Sequence, residues 1–235
     1  MTRELILATK NPGKVREFTR MLSEYASDIK VYSLLDFPDS PDVEETGTTL
    51  EENATLKVRA ITELTGKATI GDDSGIFVEA LGGAPGIYSA RYSGEHGDDR
   101  ANNEKLLREI HTLESRGPIT RSAAFRCAVA LTFPSKHARA GEVIIEKGEM
   151  RGEIIDTPRG EHGFGYDPLF IPAGYSQTSA ELDARVEKFL DENRGKWHDR
   201  NVPYQDGKVL YNLIIKNNYK TMEDWWRDAA RVEGM

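Results

Sequence analysis

Leu5-Ile6-Leu7-Ala8, then Thr9-Lys10-Asn11-Pro12-Gly13-Lys14, then Val15, Phe18, Leu22 and Tyr25 form the stretch on which the reading of this chain turns. Four consecutive apolar residues followed by polar ones predict a short buried strand. Spacings of 3, 4 and 3 between Val15, Phe18, Leu22 and Tyr25 place those side chains on one face of a helix. Pro12 supplies turn chemistry and suits the first helical turn, where its missing N–H costs nothing. The stretch therefore reads strand, polar turn, helix.

Moving outward, Asp36 to Gly47 is polar and rich in Pro and Asp, and a second helix follows. Thr49 with Glu52 three residues on is a capping-box pattern, Leu50, Ala54, Val58, Ile61 and Leu64 form its predicted buried face, and Gly66 ends it. Ala68-Thr69-Ile70 predicts a brief strand that runs into Gly71-Asp72-Asp73-Ser74-Gly75 before Ile76-Phe77-Val78 resumes it. Residues 82–94, GGAPGIYSARYSG, predict an ordered loop. A third helix is expected over Asp98 to Glu114, and a strand over Ala124 to Phe133 with Phe125, Cys127, Val129, Leu131 and Phe133 on one face. Val143 to Ile145 continues the strand signal, and Gly148-x-x-x-Gly152-x-Ile154 suggests a turn between paired strands. Gly160 to Pro172 reads as a loop ending in a strand, and Ala180 to Leu190 and Val209 to Tyr219 as helices. Early alternation of strands and helices with strands clustered later gives an α/β class with a mixed central sheet and flanking helices.

The bulk properties narrow the function. Across 235 residues there are 31 Lys+Arg against 39 Asp+Glu, a formal net charge of −8, with 38% hydrophobic residues. That is enough apolar material for an ordinary folded core and too much for a disordered chain. An acidic balance without a Lys/Arg block argues against nucleic-acid binding, which is dominated by phosphate neutralisation. The early apolar run is far shorter than a signal peptide or the ~20 residues of a membrane span require. The single cysteine, Cys127, forms no internal disulfide, so a reducing cytoplasm is the expected setting.

Three clusters carry chemistry. Thr9, Asn11, Gly13 and Lys14 lie at a strand-to-helix turn, where free backbone N–H groups and the helix dipole attract anions; a hydroxyl, an amide and an ammonium would complete a phosphate cradle. The capped start of an ordinary helix looks the same, and no G-x-x-x-x-G-K-[ST] P-loop occurs. Asp72 and Asp73, read with Glu44 and Glu45, are hard oxygen donors of the kind Mg²⁺ takes, and a carboxylate beside the metal can accept a proton from attacking water. Solvated loop acids are the bland counterpart. Phe164-Gly165-Tyr166-Asp167 offers aromatic faces and an acceptor suited to stacking a nucleobase and bonding its edge, or simply a core aromatic before a strand. The five histidines show no metal-ligand spacing, Cys127 fits a small core residue, and Arg91 is a phosphate contact or a structural arginine.

Taken together, Thr9-x-Asn11-x-x-Lys14, Glu44-Glu45-Thr46-Gly47, Glu52-Asn53-Ala54, Asp72-Asp73-Ser74-Gly75, the GGAPGIYSARYSG loop and Phe164-Gly165-Tyr166-Asp167-Pro168 closely resemble the inosine/xanthosine triphosphate pyrophosphatase family, from about residue 4 to 196. These enzymes clear non-standard purine nucleotides. The resemblance implies one ITPase-like domain over 1–235, with two lobes around an active-site cleft, usually as a homodimer. It implies hydrolysis of ITP, dITP or XTP to the monophosphate and pyrophosphate. Thr9, Lys10, Asn11, Gly13 and Lys14 would hold the triphosphate, with Lys57 nearby. Glu44 and Asp73 would engage Mg²⁺, Asp73 would also be the proton acceptor, and Ser74 would touch substrate. Phe164, Gly165, Tyr166 and Asp167 would form the base pocket, and Lys188 would read the purine carbonyl.

One departure follows Lys188. Where the family has Ser-His-Arg, gapless alignment gives Glu192-Asn193-Arg194, so Arg194 is kept and Asn193 replaces the histidine; Trp197-His198-Asp199-Arg200 supplies both groups only with an insertion. A lost donor to a purine edge is worth roughly 1–3 kcal/mol of discrimination. This leaves room for two other readings, a pyrophosphatase for modified pyrimidine or methylated nucleotides and a non-hydrolysing nucleotide sensor. The C-terminal extension from about residue 219 lies outside the pattern.

Overall fold

A computed structural model describes residues 3–25 and 29–182. The described chain runs β1 (Arg3–Leu7), α1 (Pro12–Tyr25), β2 (Ile29–Ser33), α2 (Leu50–Thr65), β3 (Ala68–Val78), α3 (Asp99–Glu114), β4 (Ser122–Thr132), β5 (Val143–Ile154) and β6 (Phe170–Pro172), with short 3₁₀ turns between. The strands join in one sheet in the order β2-β1-β3-β4-β5-β6. It is mixed: β1 is parallel to β2 and β3, while β5 and β6 are antiparallel. The fold is therefore α/β with a mixed central sheet and flanking helices. Among the described residues the chain divides by contacts into two units, the first holding residues up to Asp73 with Cys127–Gly148, the second Ser74–Arg126 and residues 149–182. No helix among the described residues is long and apolar enough to cross a membrane.

In the first unit the chain leaves β1, lays β2 on one side of it and returns to place β3 on the other. In register, Leu5 faces Ala68 and Leu7 faces Ile70, and Ala8 N–H donates to Ile70 C=O at 2.8 Å. Alternation sends Ile6 and Ala8 to the face where Ile61 of α2 and Leu34 complete a buried cluster. Leu5 and Leu7 point the other way, and α1 buries Phe18 and Leu22. Each fully buried Leu or Ile removes enough apolar surface from water for about 1.5–3 kcal/mol, so the buried run from Leu5 to Ala8 anchors this unit. The second unit has its own core, with Ile76 and Val78 of β3, Leu106 and Ile110 of α3, Ile154, Leu169 and Phe170 all buried.

Helix α2 begins as its sequence dictates, with Thr49 Oγ1 accepting from Glu52 N–H at 3.1 Å, and ends at Gly66, whose φ of +64° suits a residue without Cβ. The reciprocal half of the capping box shifts one residue back: Glu52 Oε2 accepts from Thr48 N–H at 2.6 Å and Thr48 Oγ1–H at 2.8 Å. Thr49→Ala is expected to cost about 1 kcal/mol, read as a lower urea midpoint at unchanged slope.

Four local expectations are corrected. Asp72 and Asp73 do not interrupt a strand; β3 runs unbroken for 11 residues through both. The two glycines at 148 and 152 do not make a turn either, since β5 is continuous over 12 residues. Gly152 is needed because a Cβ there would lie 2.1 Å from the Ile171 carbonyl oxygen, where β6 and the Phe170 ring close on it. Leu64 is 55% exposed, while Asn53 and Thr62 take places on the buried side of α2. In β4 burial does not alternate beyond Arg126, because both faces are covered from Cys127 to Thr132. Gly86–Arg91 in the predicted loop forms a 3₁₀ turn.

Candidate active site

Strand order reverses between β1 and β3, and in open α/β sheets the crevice beyond such a reversal is where ligands bind. Here the first unit places the turn after β1 beside the middle of β3. Asn11 Oδ1 accepts from Gly13 N–H at 2.8 Å and from Lys14 N–H at 3.3 Å, capping α1, while Thr9 Oγ1 accepts from Asn11 N–H at 3.1 Å. Thr9, Asn11, Gly13 and Lys14 are thus gathered at one helix start. Lys10 turns to the following loop, donating to Ser40 C=O at 3.0 Å and pairing with Asp42 at 2.7 Å.

Adjacent strand residues face opposite ways, and Asp72 and Asp73 follow that rule. The Asp72 carboxylate meets Lys14 of α1. On the other face, Asp73 Oδ2 accepts from Asn53 Nδ2 at 3.0 Å, and its Oδ1 lies 3.3 Å from Lys57 Nζ. Asn53 and Lys57 are four residues apart on α2, so one face of that helix delivers both. Asn53 is itself set by Gly47 N–H, which donates to its Oδ1 at 2.8 Å. Lys57 also donates to Asp72 C=O at 3.1 Å and pairs with Glu45 at 2.7 Å. Gly71 lets α2 come this close: a Cβ on it would lie 3.0 Å from both Ala8 Cβ and Val58 Cγ1.

The electrostatics single out Asp73. Only 6% of the residue is exposed, and burial pushes its carboxyl above the ordinary 3.8; Lys57 opposes that, and the Glu45 charge reinforces it. Asp73 and, across Lys57, Glu45 bring carboxylate oxygens, hard donors of the kind a divalent cation such as Mg²⁺ takes.

This constellation coincides with a family assignment. The profile of the Ham1 family matches residues 5–196. The chain belongs to the Ham1 family. It is 50% identical over 196 residues to the dITP/XTP pyrophosphatase of Geobacter sulfurreducens, covering 83% of this chain and 92% of that one. With the dITP/XTP pyrophosphatase of Lactiplantibacillus plantarum it shares 46% identity over 225 residues, 96% of this chain and 97% of the relative. Among solved structures, a HAM1 protein from Coxiella burnetii superposes with a TM-score of 0.71 at 35% identity, covering 91% of this chain and 99% of that one. A nucleoside-triphosphatase, or dITP/XTP pyrophosphatase, from Mycobacterium abscessus gives 0.65 at 36% identity over 90% and 99%.

Within this Ham1 family member, Lys14, Lys57 and Asp73 are brought into one hydrogen-bonded cluster. Glu44 is exposed, and the acid that reaches Lys57 is its neighbour Glu45. Phe164, Gly165, Tyr166 and Asp167 belong to the second unit. There Phe164 is 41% exposed, whereas the Tyr166 ring is buried in the core with its hydroxyl donating to Ser89 C=O at 2.9 Å; burial raises its pKa strongly. Arg91 lies over the Tyr88 ring at 5.3 Å. Lys188, Asn193, Arg194, His198, Arg200, the predicted helix over Val209 to Tyr219, most of that over Ala180 to Leu190, and the extension lie outside the described residues. A cavity of about 670 Å³ in the second unit, bordered by Phe77, Arg126, Arg151 and Tyr175, is lined by none of the predicted site residues.

Sequence reasoning assigned no role to Asn53, and it read Glu45 only with Glu44 among the oxygen donors, choosing Glu44 as the ligand. The i, i+4 spacing of Asn53 and Lys57 on an amphipathic helix was the available signal for Asn53. It also missed a histidine cluster, His111 with Glu114 and Asp156. Arg121 already occupies it, bonding both Glu114 oxygens at 2.8 Å and Asp156 at 2.7 Å.

Proposed function

We propose that this protein is a Mg²⁺-dependent nucleoside triphosphate pyrophosphatase that converts ITP, dITP and XTP to the monophosphate and pyrophosphate. The observation that carries the reading is Asp73: a buried carboxylate with a raised pKa, fixed by Asn53 and Lys57 at the reversal of strand order. The names and close identity of the relatives support the reaction class.

In this reading Asp73 and the Glu44-Glu45 pair would hold Mg²⁺, which when bound neutralises phosphate charge and acidifies water. The chain's own residues do the rest. Lys14 and Lys57 present ammonium groups, and the α1 N-terminus presents the N–H groups of Gly13 and Lys14, for the triphosphate oxygens. Asp73 accepts a proton from the water that attacks the α-phosphorus; the α–β bridge breaks and pyrophosphate leaves. Its raised pKa makes it a stronger base than an ordinary carboxylate. Phe164 offers a face for the purine, with Lys188 and Arg194 as donors to a 6-oxo group that ATP lacks. The resemblance also implies a cytoplasmic homodimer, which sizing of the purified protein tests.

Pyrophosphate release across ITP, dITP, XTP, GTP and ATP, with and without a chelator, is the deciding assay. Release is expected only with divalent metal, and ITP, dITP and XTP should exceed ATP, which lacks the 6-oxo group, by about two orders of magnitude in kcat/KM. Full-speed cleavage after metal stripping, or release of orthophosphate alone, would refute the proposal.

A further inference from the structure

Gly165 has both backbone groups held by side chains of α3. Its N–H donates to Asp99 Oδ2 at 2.7 Å, and its C=O accepts from Asn103 Nδ2 at 2.9 Å. Asp99 and Asn103 are four residues apart, one helical turn, so they stand on the same face of α3. Asp98 fixes where that face begins by accepting from Ala101 N–H at 2.9 Å, and Asp99 lies in the first turn, where the helix dipole favours a carboxylate. The Asn103 Oδ1 atom is buried without a hydrogen-bond partner among the described residues, so the orientation of this amide rests on its bond to Gly165.

The segment so gripped would be loose without it. Gly160, Gly163 and Gly165 all have positive φ, and glycines lose more backbone entropy on ordering than any other residue. Flanking anchors hold its ends: Phe164 N–H donates to Asp167 Oδ2 at 3.0 Å, and Tyr166 is locked in the core. Phe164, between them, carries the one large, exposed apolar side chain of Phe164–Asp167; on the Gly165 side its C=O accepts from Asp167 N–H at a long 3.3 Å, and the Gly165 backbone beyond it is held by Asp99 and Asn103.

We propose that Asp99 and Asn103 are positioning residues for nucleobase recognition, gripping both polar groups of Gly165 so that the Phe164 ring is a fixed stacking face for the purine. This rests on the reading of Phe164–Asp167 as the base site. It predicts that base recognition, and not phosphate binding, weakens when the grip is released.

The test uses the full chain and four variants: Asp99→Ala, Asn103→Leu, Asp99→Asn and Phe164→Ala. KM and kcat are measured for ITP and ATP, with inhibition by inorganic triphosphate and the melting temperature alongside. Asp99→Ala and Asn103→Leu should each raise KM for ITP roughly tenfold with kcat within about twofold, and shrink the preference over ATP. Inorganic triphosphate, having no base, should inhibit them as it does wild type. Asp99→Asn keeps an acceptor oxygen and should behave as wild type; Phe164→Ala should raise KM at least as much as the grip variants. If Phe164→Ala raises KM while both grip variants leave it unchanged, the proposal fails and the base site stands. If KM, triphosphate inhibition and melting move together, the residues are merely structural and the proposal fails. A silent Phe164→Ala refutes the base-site reading itself, and the proposal with it.

Discussion

Asp73→Asn is expected to lose three orders of magnitude or more in pyrophosphate release while still binding nucleotide, because it removes the proton acceptor and one carboxylate charge while keeping the shape of the side chain. Loss of a general base alone typically costs about 10²–10⁴-fold. The substitution leaves Lys57 with Glu45 at 2.7 Å and the Asp72 carbonyl at 3.1 Å, so the helix face that builds the site keeps its other ties. Nucleotide affinity measured by calorimetry separates this from simple unfolding. Turnover within tenfold of wild type would remove Asp73 from the role of base.

The same variant makes a statement about stability. Burial holds the Asp73 carboxyl above its unfolded value of 3.8, so the folded chain binds that proton more tightly than the unfolded one. Stability therefore falls as pH rises from 3.8 through the folded pKa, and the cost is fully present near neutral pH. Asparagine carries no such charge. Without metal, Asp73→Asn should melt above wild type at about pH 7, and the gap should close as pH falls toward 3.8. A buried charge that costs stability fits a functional group.

How far the sequence carried this reading depended on whether the deciding contact was local. The opening strand, the turn and α1 were legible because apolar run, proline and helical spacing all lie within one stretch of chain. Helix α2 was legible at both ends for the same reason, through Thr49 and Gly66. Strand β3 was not. Two acids between glycines mimic a turn, and what allows them inside a buried strand comes from elsewhere: Lys14 is 58 residues from Asp72 and Lys57 is 16 from Asp73. Gly71, Gly75 and Gly152 signal breaks locally, yet each marks a close approach by another segment. At the site, the residue types pointed to Asp73 and Lys14, the family resemblance supplied Lys57, and Asn53 became visible only when α2 was laid against β3. Tyr166 was read with the base pocket because aromatic rings serve stacking and packing alike, and only burial distinguishes the two.

Gly75→Ala should be the most destabilising of these substitutions, costing about 3 kcal/mol or more and lowering Tm by roughly 6–12 °C. Nothing in the backbone conformation of Gly75 requires glycine; the reason is space. A Cβ there would lie 2.1 Å from the Gly86 carbonyl oxygen and 2.8 Å from Ser89 Oγ. That oxygen is not free to move away. It accepts from Ser89 Oγ at 2.6 Å, and the same Oγ accepts from Ile76 N–H at 2.9 Å, so displacing Gly86 breaks a buried three-point junction between β3 and the 3₁₀ turn. Gly86 is confined on its other side as well, where the Phe77 ring lies close enough that even a Cβ would meet it at 3.3 Å. Gly82→Ala is the control. Unlike Gly75 it sits at positive φ, +63°, but in open space, so it should cost only the left-handed backbone penalty of about 1–2 kcal/mol. Thermal melts of the two variants side by side decide the matter: equal losses would mean that Gly75 is conserving backbone freedom, and the close approach of the turn to β3 would have to be redrawn.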